Sequence, residues 1–305
     1  MRLKKSIFTA VVGLLFAVGG FAQTRAVTVV TEPNARVWLD DVLRGAADGS
    51  GKLTIAPLTA GAHKLRVRAD GFKEVSQNLL AAQKKGEVKI ILVKTTDQAE
   101  LTYQEAERSA SSDRQKAIAA YRQAISLRPK YAEANLGLAR VLSAAGDVDG
   151  ALKAVAAARK ARLGYAEASA VEGRIYAAEG NDEKAIAAFK RAVTEGRGTQ
   201  PEANTGLGLL YKEKAEAFGS NGDYESEAAN YALAVQYFKK AIAQLSGAPD
   251  VVTLYQFLGL AYEKMKKYDE AVAVYEEFLK LFPDSSESEA VRSFIVQLKK
   301  QMNER

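Results

Sequence analysis

No cysteine occurs in this sequence, and histidine and tryptophan occur once each, as His63 and Trp38. Without thiols there can be no disulfide, thiolate zinc site, cysteine nucleophile or lipidated cysteine anchor. One imidazole is too little material for a histidine-based metal centre or a catalytic triad. A nucleophile elbow and a phosphate-binding glycine loop are also missing. The adjacent carboxylates that do occur do not suit acid–base work. Glu276-Glu277 would point in different directions from a helix, and Asp40-Asp41 reads as a solvent-facing pair at a strand end. The expectation is a protein that is not an enzyme and has no catalytic residue, metal or cofactor.

What is present is ordinary for a folded chain. Of 305 residues, 48% are hydrophobic and 26% charged, a globular composition with length for about two domains. The net charge of +6 is unevenly spread. Residues 1–22 carry Arg2, Lys4 and Lys5 and no acid; residues 23–94 hold 12 basic and 7 acidic side chains, and residues 95–305 hold 28 and 30. A mildly basic N-proximal part (+5) therefore precedes a near-neutral remainder (−2). The basic residues do not cluster, so nucleic acid is not an expected partner. An anionic surface such as lipid headgroups or acidic glycans fits the basic part weakly.

The first 22 residues have the three-part plan of a secretory signal peptide. A basic start is followed by the uncharged, largely apolar run Ile7–Phe21, and Gly20-Phe21-Ala22 puts small residues before Gln23. That run is short of the ~20 residues a membrane span needs. Cleavage after Ala22 is expected, with an uncleaved membrane anchor as the alternative. In both cases the folded part is exported, to a periplasm or to the extracellular side of an envelope.

Residues 26–94 read as short strands. Val27-Thr28-Val29-Val30-Thr31 is β-branched, and Ala35, Val37 and Leu39 alternate with Arg36, Trp38 and Asp40. Arg44 to Lys52 is turn-rich. Leu53-Thr54-Ile55, His63 to Arg68 and Val88 to Val93 supply further strands, which together predict a small antiparallel sandwich. The stretches Pro33 to Asp41, Leu58 to Val67 and Asp70-Gly71-Phe72 resemble a PEGA domain, with Asn34 departing from the Glu-Gly that names that family. The resemblance implies an envelope role and brings no catalytic residue. His63 reads as a packing or turn residue. Trp38 either packs under a loop or offers a contact to a sugar or a partner.

Residues 98–305 repeat. Ala117, Ala151 and Ala185 are 34 residues apart; Gly146-Asp147 recurs as Gly180-Asn181 and Tyr131-Ala132-Glu133-Ala134 as Tyr165-Ala166-Glu167-Ala168. A fixed period of this length marks a stacked-repeat architecture. Each period predicts a helix pair, with Gly ending one helix and Asp or Asn capping the next. One such hairpin cannot bury its apolar face alone, but a stack buries a continuous core. The unit from Phe257-Leu258-Gly259-Leu260-Ala261-Tyr262 through Lys267-Tyr268-Asp269-Glu270-Ala271 to Pro283 resembles the tetratricopeptide repeat, as do Ala117, Tyr121, Ala124 and Pro129 in a first unit where Glu105 replaces a small residue. The fourth unit carries about 14 extra residues around Ala215 to Tyr231, read as a longer, projecting hairpin. Ser285 to Lys300 predicts a capping helix. The resemblance implies an all-α right-handed solenoid of about five hairpins behind the β domain.

The resemblance also implies a concave groove lined by the first helix of each unit. By register its wall carries Glu133, Leu136 and Arg140, then Glu167, Ala170 and Arg174, then Glu202, Thr205, Leu209, Lys212 and Glu213, then Thr253, Gln256, Leu260, Glu263 and Lys264. Arg140 and Arg174 occupy equivalent places and could together take an anionic group. Alternatively they are solvated arginines paired with Glu133 and Glu167. The lysine-and-asparagine clamp for C-terminal carboxylates is not matched. The expected function is an exported scaffold or adaptor, with a protein or peptide in the groove and an envelope component at the β domain. The alternative is a carbohydrate- or cell-wall-binding module that uses Trp38.

Overall fold

A computed structural model of the chain describes residues 26–58, 63–80, 86–246, 248 and 251–304. The expected leader over 1–22 and residues 59–62 of the β motif lie outside the described residues.

Seven strands open the fold: β1 (Val27–Val30), β2 (Arg36–Leu39), β3 (Val42–Ala46), β4 (Lys52–Ile55), β5 (His63–Arg68), β6 (Val75–Leu79) and β7 (Gly86–Lys89). They form sheet A in the order β4-β1-β7 and sheet B in the order β3-β2-β5-β6. Period-2 alternation sends Val27, Val29, Val37, Leu39, Leu65 and Val67 into one core, where each is at most 2% exposed. This is a two-sheet β region, but it is not purely antiparallel as expected, because β7 runs parallel to β1, with Val29 opposite Val88. The chain leaves sheet B after β6 and enters sheet A alongside β1.

Two strands are hidden in the sequence. β3 falls partly within the turn-rich segment. Asp40 and Asp41 have φ of 52° and 63° and close a two-residue hairpin between Leu39 and Val42, the backbone twist such hairpins require. β6 is obscured by its polar residues Ser76, Gln77 and Asn78; it is the edge strand beside β5. The last strand ends earlier than expected, at Lys89, although the Ile90 amide still donates to the Val30 carbonyl at 2.8 Å.

Eleven helices follow among the described residues: α1 (Gln98–Ser109), α2 (Arg114–Leu127), α3 (Ala132–Ala144), α4 (Val148–Ala161), α5 (Ala166–Ala178), α6 (Asp182–Glu195), α7 (Pro201–Ser220), α8 (Tyr224–Leu245), α9 (Val251–Lys264), α10 (Tyr268–Leu281) and α11 (Ser288–Asn303). Asp147 and Asn181 cap α4 and α6 through the Gly150 and Lys184 amides. Gly146 and Gly180 precede them at φ of 82° and 69°, a conformation that costs other residues energy. The inserted residues lengthen the fourth hairpin, so α7 and α8 run 20 and 22 residues where the other paired helices run 12 to 14. None of the described helices is long and apolar enough to cross a membrane.

The stack is held by rings set against glycines. A Cβ on Gly173 would stand 2.6 Å from the Phe189 ring, and one on Gly206 would strike the same ring. Phe189 is therefore gripped by its own hairpin and by the next unit. Within single hairpins, Gly208 meets Phe238 and Gly259 meets Tyr275. In the first hairpin, Glu105 ties α1 to α2 through Lys116 at 2.5 Å and also binds Arg108. The bond from Lys116, followed by that from Arg108, lowers the Glu105 carboxyl to about 2.

Candidate binding cleft

The alternation that buries Val37 and Val67 turns Trp38, Arg66 and Arg68 to the opposite face of sheet B. Arg36 pairs with Arg68 across the strands, and Trp38 with Arg66. The Arg66, Arg68 and Arg36 guanidinium carbons lie 4.5, 5.5 and 5.9 Å from the Trp38 ring centroid, within cation–π range. Trp38 is thus half-buried, with guanidinium groups over its ring.

That basic face is turned towards the helices. Arg68, 4% exposed, donates to Glu74 at 2.6 and 2.9 Å, to the Tyr103 hydroxyl at 2.8 Å and to Glu107 at 3.4 Å. Gln104 of α1, 1% exposed, accepts from the Gly71 amide at 2.7 Å and donates to the Phe72 carbonyl at 2.9 Å. The Asp70-Gly71-Phe72 turn therefore docks on α1, and Arg108 adds an ion pair to Asp70 at 3.1 Å. At the other end of this contact, Arg44 of β3 donates to the carbonyls of Gln244, at 3.2 Å, and Ser246. His63 acts within the sheet. Its Nδ1 lies 2.6 Å from Asp40, whose other oxygen accepts from the Lys64 amide, so it secures the Asp40-Asp41 hairpin.

Between these two ends lies a cleft of about 1390 Å³. Asp40 to Leu43, Lys64, Arg66, Glu74 and Ser76 form its sheet B wall. Glu133, Glu167, Arg174, Glu202, Thr205, Leu209, Glu213 and Thr253 line the helical wall, which is the groove register read from the sequence. Arg162, Tyr165, Glu195 and Phe257 also line it. So does Arg197, together with Gly196, Thr199 and Gln200 of the connection into α7. That connection lies outside the first helices that the register covers.

The remaining register positions have other neighbours. Leu136, expected on the groove wall, is 1% exposed in the core of the stack. Its equivalent Ala170 is 0% exposed, so this position faces the packing seam in both units and an apolar side chain there is drawn into it. Arg140, Lys212, Gln256, Glu263 and Lys264 do not line the cleft. Lys212 pairs with Glu216 at 2.7 Å, Gln256 donates to Glu287 at 3.1 Å, Glu263 accepts from the Tyr275 hydroxyl at 2.7 Å, and Lys264 is exposed.

Arg140 and Arg174 both reach forward to the next unit. Arg140 binds Glu167 at 2.7 Å and the Arg174 Nε lies 3.5 Å from Glu202, while Glu133 is held by Arg162. Burial opposes the charge on Arg140, but Glu167 outweighs it and holds the guanidinium pKa above its usual value. Burial likewise pushes against ionised Glu167, and Arg140 reverses that and lowers its pKa. At Glu202 burial prevails over Arg174 and Arg140, so its pKa is raised. Sequence reasoning missed the sheet B wall because a repeat period says nothing about where another module docks. A signal was nonetheless available, in a basic N-proximal part facing units that each begin with a glutamate, Glu133, Glu167 and Glu202. Among the described residues no group of three or more His, Asp or Glu side chains is placed to hold a metal ion.

A comparison with curated proteins gives no significant match. Family models described as tetratricopeptide repeat match residues 109–175, 166–195 and 252–285. Among solved structures, yeast Tom70 is 15% identical with a TM-score of 0.53, over 68% of this chain and 41% of that one. PilF of Pseudomonas aeruginosa is 16% identical with a TM-score of 0.49, over 68% and 90% of the two chains. A thermophilic tetratricopeptide protein of Thermus thermophilus is 19% identical with a TM-score of 0.45, over 65% and 99%. The chain thus carries tetratricopeptide repeats, stacked as a helical solenoid behind a small two-sheet β region.

Proposed function

We propose that this chain is an exported, non-catalytic scaffold of the cell envelope that holds a segment of a partner protein in the cleft between sheet B and the solenoid. The observation that carries this reading is the cleft itself. Its volume suits several side chains of a bound segment, and apolar Leu43, Leu209 and Phe257 lie among charged groups on its walls, the mixture that gives a peptide site both area and orientation. The resemblance of residues 26–94 to a PEGA domain and the leader-like residues 1–22 support the envelope location, in a periplasm or at a surface. The β region would then also face an envelope component. The arginines over Trp38 favour a protein ligand over a sugar stacked on that ring.

Photocrosslinking from Thr253 of the chain lacking residues 1–22, in envelope extract, tests this. One protein should be captured, and Leu209→Glu or Arg174→Glu should abolish the capture. Equal capture by parent and variants would remove the cleft from the reading. Capture of glycan in place of protein would favour the carbohydrate-binding alternative.

A further inference from the structure

The two ends of the contact between sheet B and the solenoid are built differently. The end at α1 is dense. Arg68 is nearly inaccessible and reaches Glu74, Tyr103 and Glu107, and buried Gln104 pairs with the backbone of the Asp70-Gly71-Phe72 turn. The chain connection is pinned there too, since the Thr95 amide donates to the Gly71 carbonyl at 2.9 Å and the Lys73 amide to the Val93 carbonyl at 2.8 Å. The end at α8 is held through Arg44. Arg44 donates to the last carbonyls of α8, those of Gln244 and Ser246, and its Nε is buried with no partner. A guanidinium suits a helix C-terminus, where orphan carbonyls concentrate negative charge. Between the two ends the cleft separates the walls, with Arg66 of β5 and Glu167 of α5 both lining it. Leu43, beside Arg44, and Leu245, beside Gln244, both line the cleft, so the Arg44 contact stands at its rim.

We propose that the β region is a hinged cover over the solenoid's cleft, fixed at α1 and latched at α8 by Arg44. Releasing the latch opens the cleft to a bulky ligand, and the hinge at α1 keeps the cover in place. The functional meaning rests on the cleft being the binding site, but the cover itself can be tested without any partner, so the two readings fail separately.

The chain has no cysteine, which makes single and paired cysteine labels clean. Spin labels at Ala46→Cys and Ala243→Cys report the latch, and labels at Lys73→Cys and Ser111→Cys report the hinge. In the parent both pairs should give one narrow distance. Arg44→Ala should lengthen and broaden the latch distance only. In parallel, Thr205→Cys on the cleft wall should react about tenfold faster with a polymer-linked maleimide in the Arg44→Ala background, a change equivalent to about 1.4 kcal/mol. Its rate with a small maleimide should stay unchanged. Arg44→Lys, which keeps the charge and one donor, should fall between parent and Arg44→Ala. Unchanged latch distances and rates in Arg44→Ala would overturn the proposal. So would equal movement of both label pairs, because that describes general loosening with no hinge.

Discussion

Inside the solenoid, helices meet through buried rings set against glycines; the solenoid and the sheets meet through guanidinium groups, carboxylates and backbone carbonyls. Phe189, Phe238 and Phe278 are at most 3% exposed, and they hold the stack by area and shape. The module contact draws on Arg68, Gln104, Arg108 and Arg44, whose bonds are directional and few. Apolar burial is strong and close packing resists displacement, so it suits a stack that must not slip. A polar bridge is directional and contributes little net free energy, so a contact resting on one of them, as at Arg44, can open while the denser Arg68 end holds. The difference separates an apolar seam from a polar one within one chain.

The sharpest way to break the apolar seam is Phe238→Ala. The ring is fully buried and lies against Gly208, so its removal leaves a cavity and should cost about 3–5 kcal/mol. Urea unfolding would measure it, and a loss well below that range would mean the long hairpin can collapse into the space. The module contact is tested by Arg68→Ala. Loss of a buried ion-pair partner costs about 3–5 kcal/mol when the remaining charges are fully buried. Glu74 and Glu107 are 25% and 22% exposed, so about 2–3 kcal/mol is expected here. Hydrogen exchange should rise in β5, β6 and α1 and stay unchanged in α9 and α10. A uniform rise would mean that the two seams unfold as one.

Gly173→Ala sharpens the same comparison at a smaller scale. In an open helix this substitution stabilises by about 0.5–1 kcal/mol. Here the new methyl would stand 2.6 Å from the Phe189 ring, and overpacking of that kind costs about 1–3 kcal/mol. The packing cost is the larger, so a lower urea midpoint is expected. A raised midpoint would show that the ring can yield.

Of the glycines set against rings, Gly259 was legible, because the repeat period picks out its unit. The same period located the caps at Asp147 and Asn181, and the tetratricopeptide resemblance implied a groove side carrying Glu133, Arg174 and Leu209, which line the cleft. Leu136 was misplaced because a register gives a helix face only coarsely, and an apolar side chain at its margin turns towards the core. The β region was less legible. Ser76, Gln77 and Asn78 carry little strand pattern, yet β6 forms through its backbone pairing with β5. The parallel pairing of β7 with β1 depends on a crossover between sheets that no local pattern encodes. The docking of the Asp70-Gly71-Phe72 turn on Gln104 joins residues over 30 positions apart, and one amide side chain in a helix does not announce that role.

The smallest expected effects distinguish two carboxylates in the cleft wall. Glu167 and Glu202 begin adjacent units, yet Arg140 lowers the first while burial raises the second. A carboxyl whose pKa is lowered by folding stabilises the fold above the ordinary carboxylate range, and that contribution is lost as pH falls through the lowered value. One whose pKa is raised has the opposite sign: its ionised form weakens the fold at neutral pH, and the penalty disappears as pH falls through the raised value. Glu167→Gln should therefore lower stability at neutral pH, and Glu202→Gln should raise it. Their side chains are 23% and 36% exposed, so each change should stay below about 1 kcal/mol. Both variants should converge on the parent in acid. Thermal melts at neutral pH and below the carboxylate range would read the pair. Equal shifts of one sign would show that Arg140 serves both carboxylates alike, and would remove the distinction between a satisfied and an under-compensated acid in the same cleft.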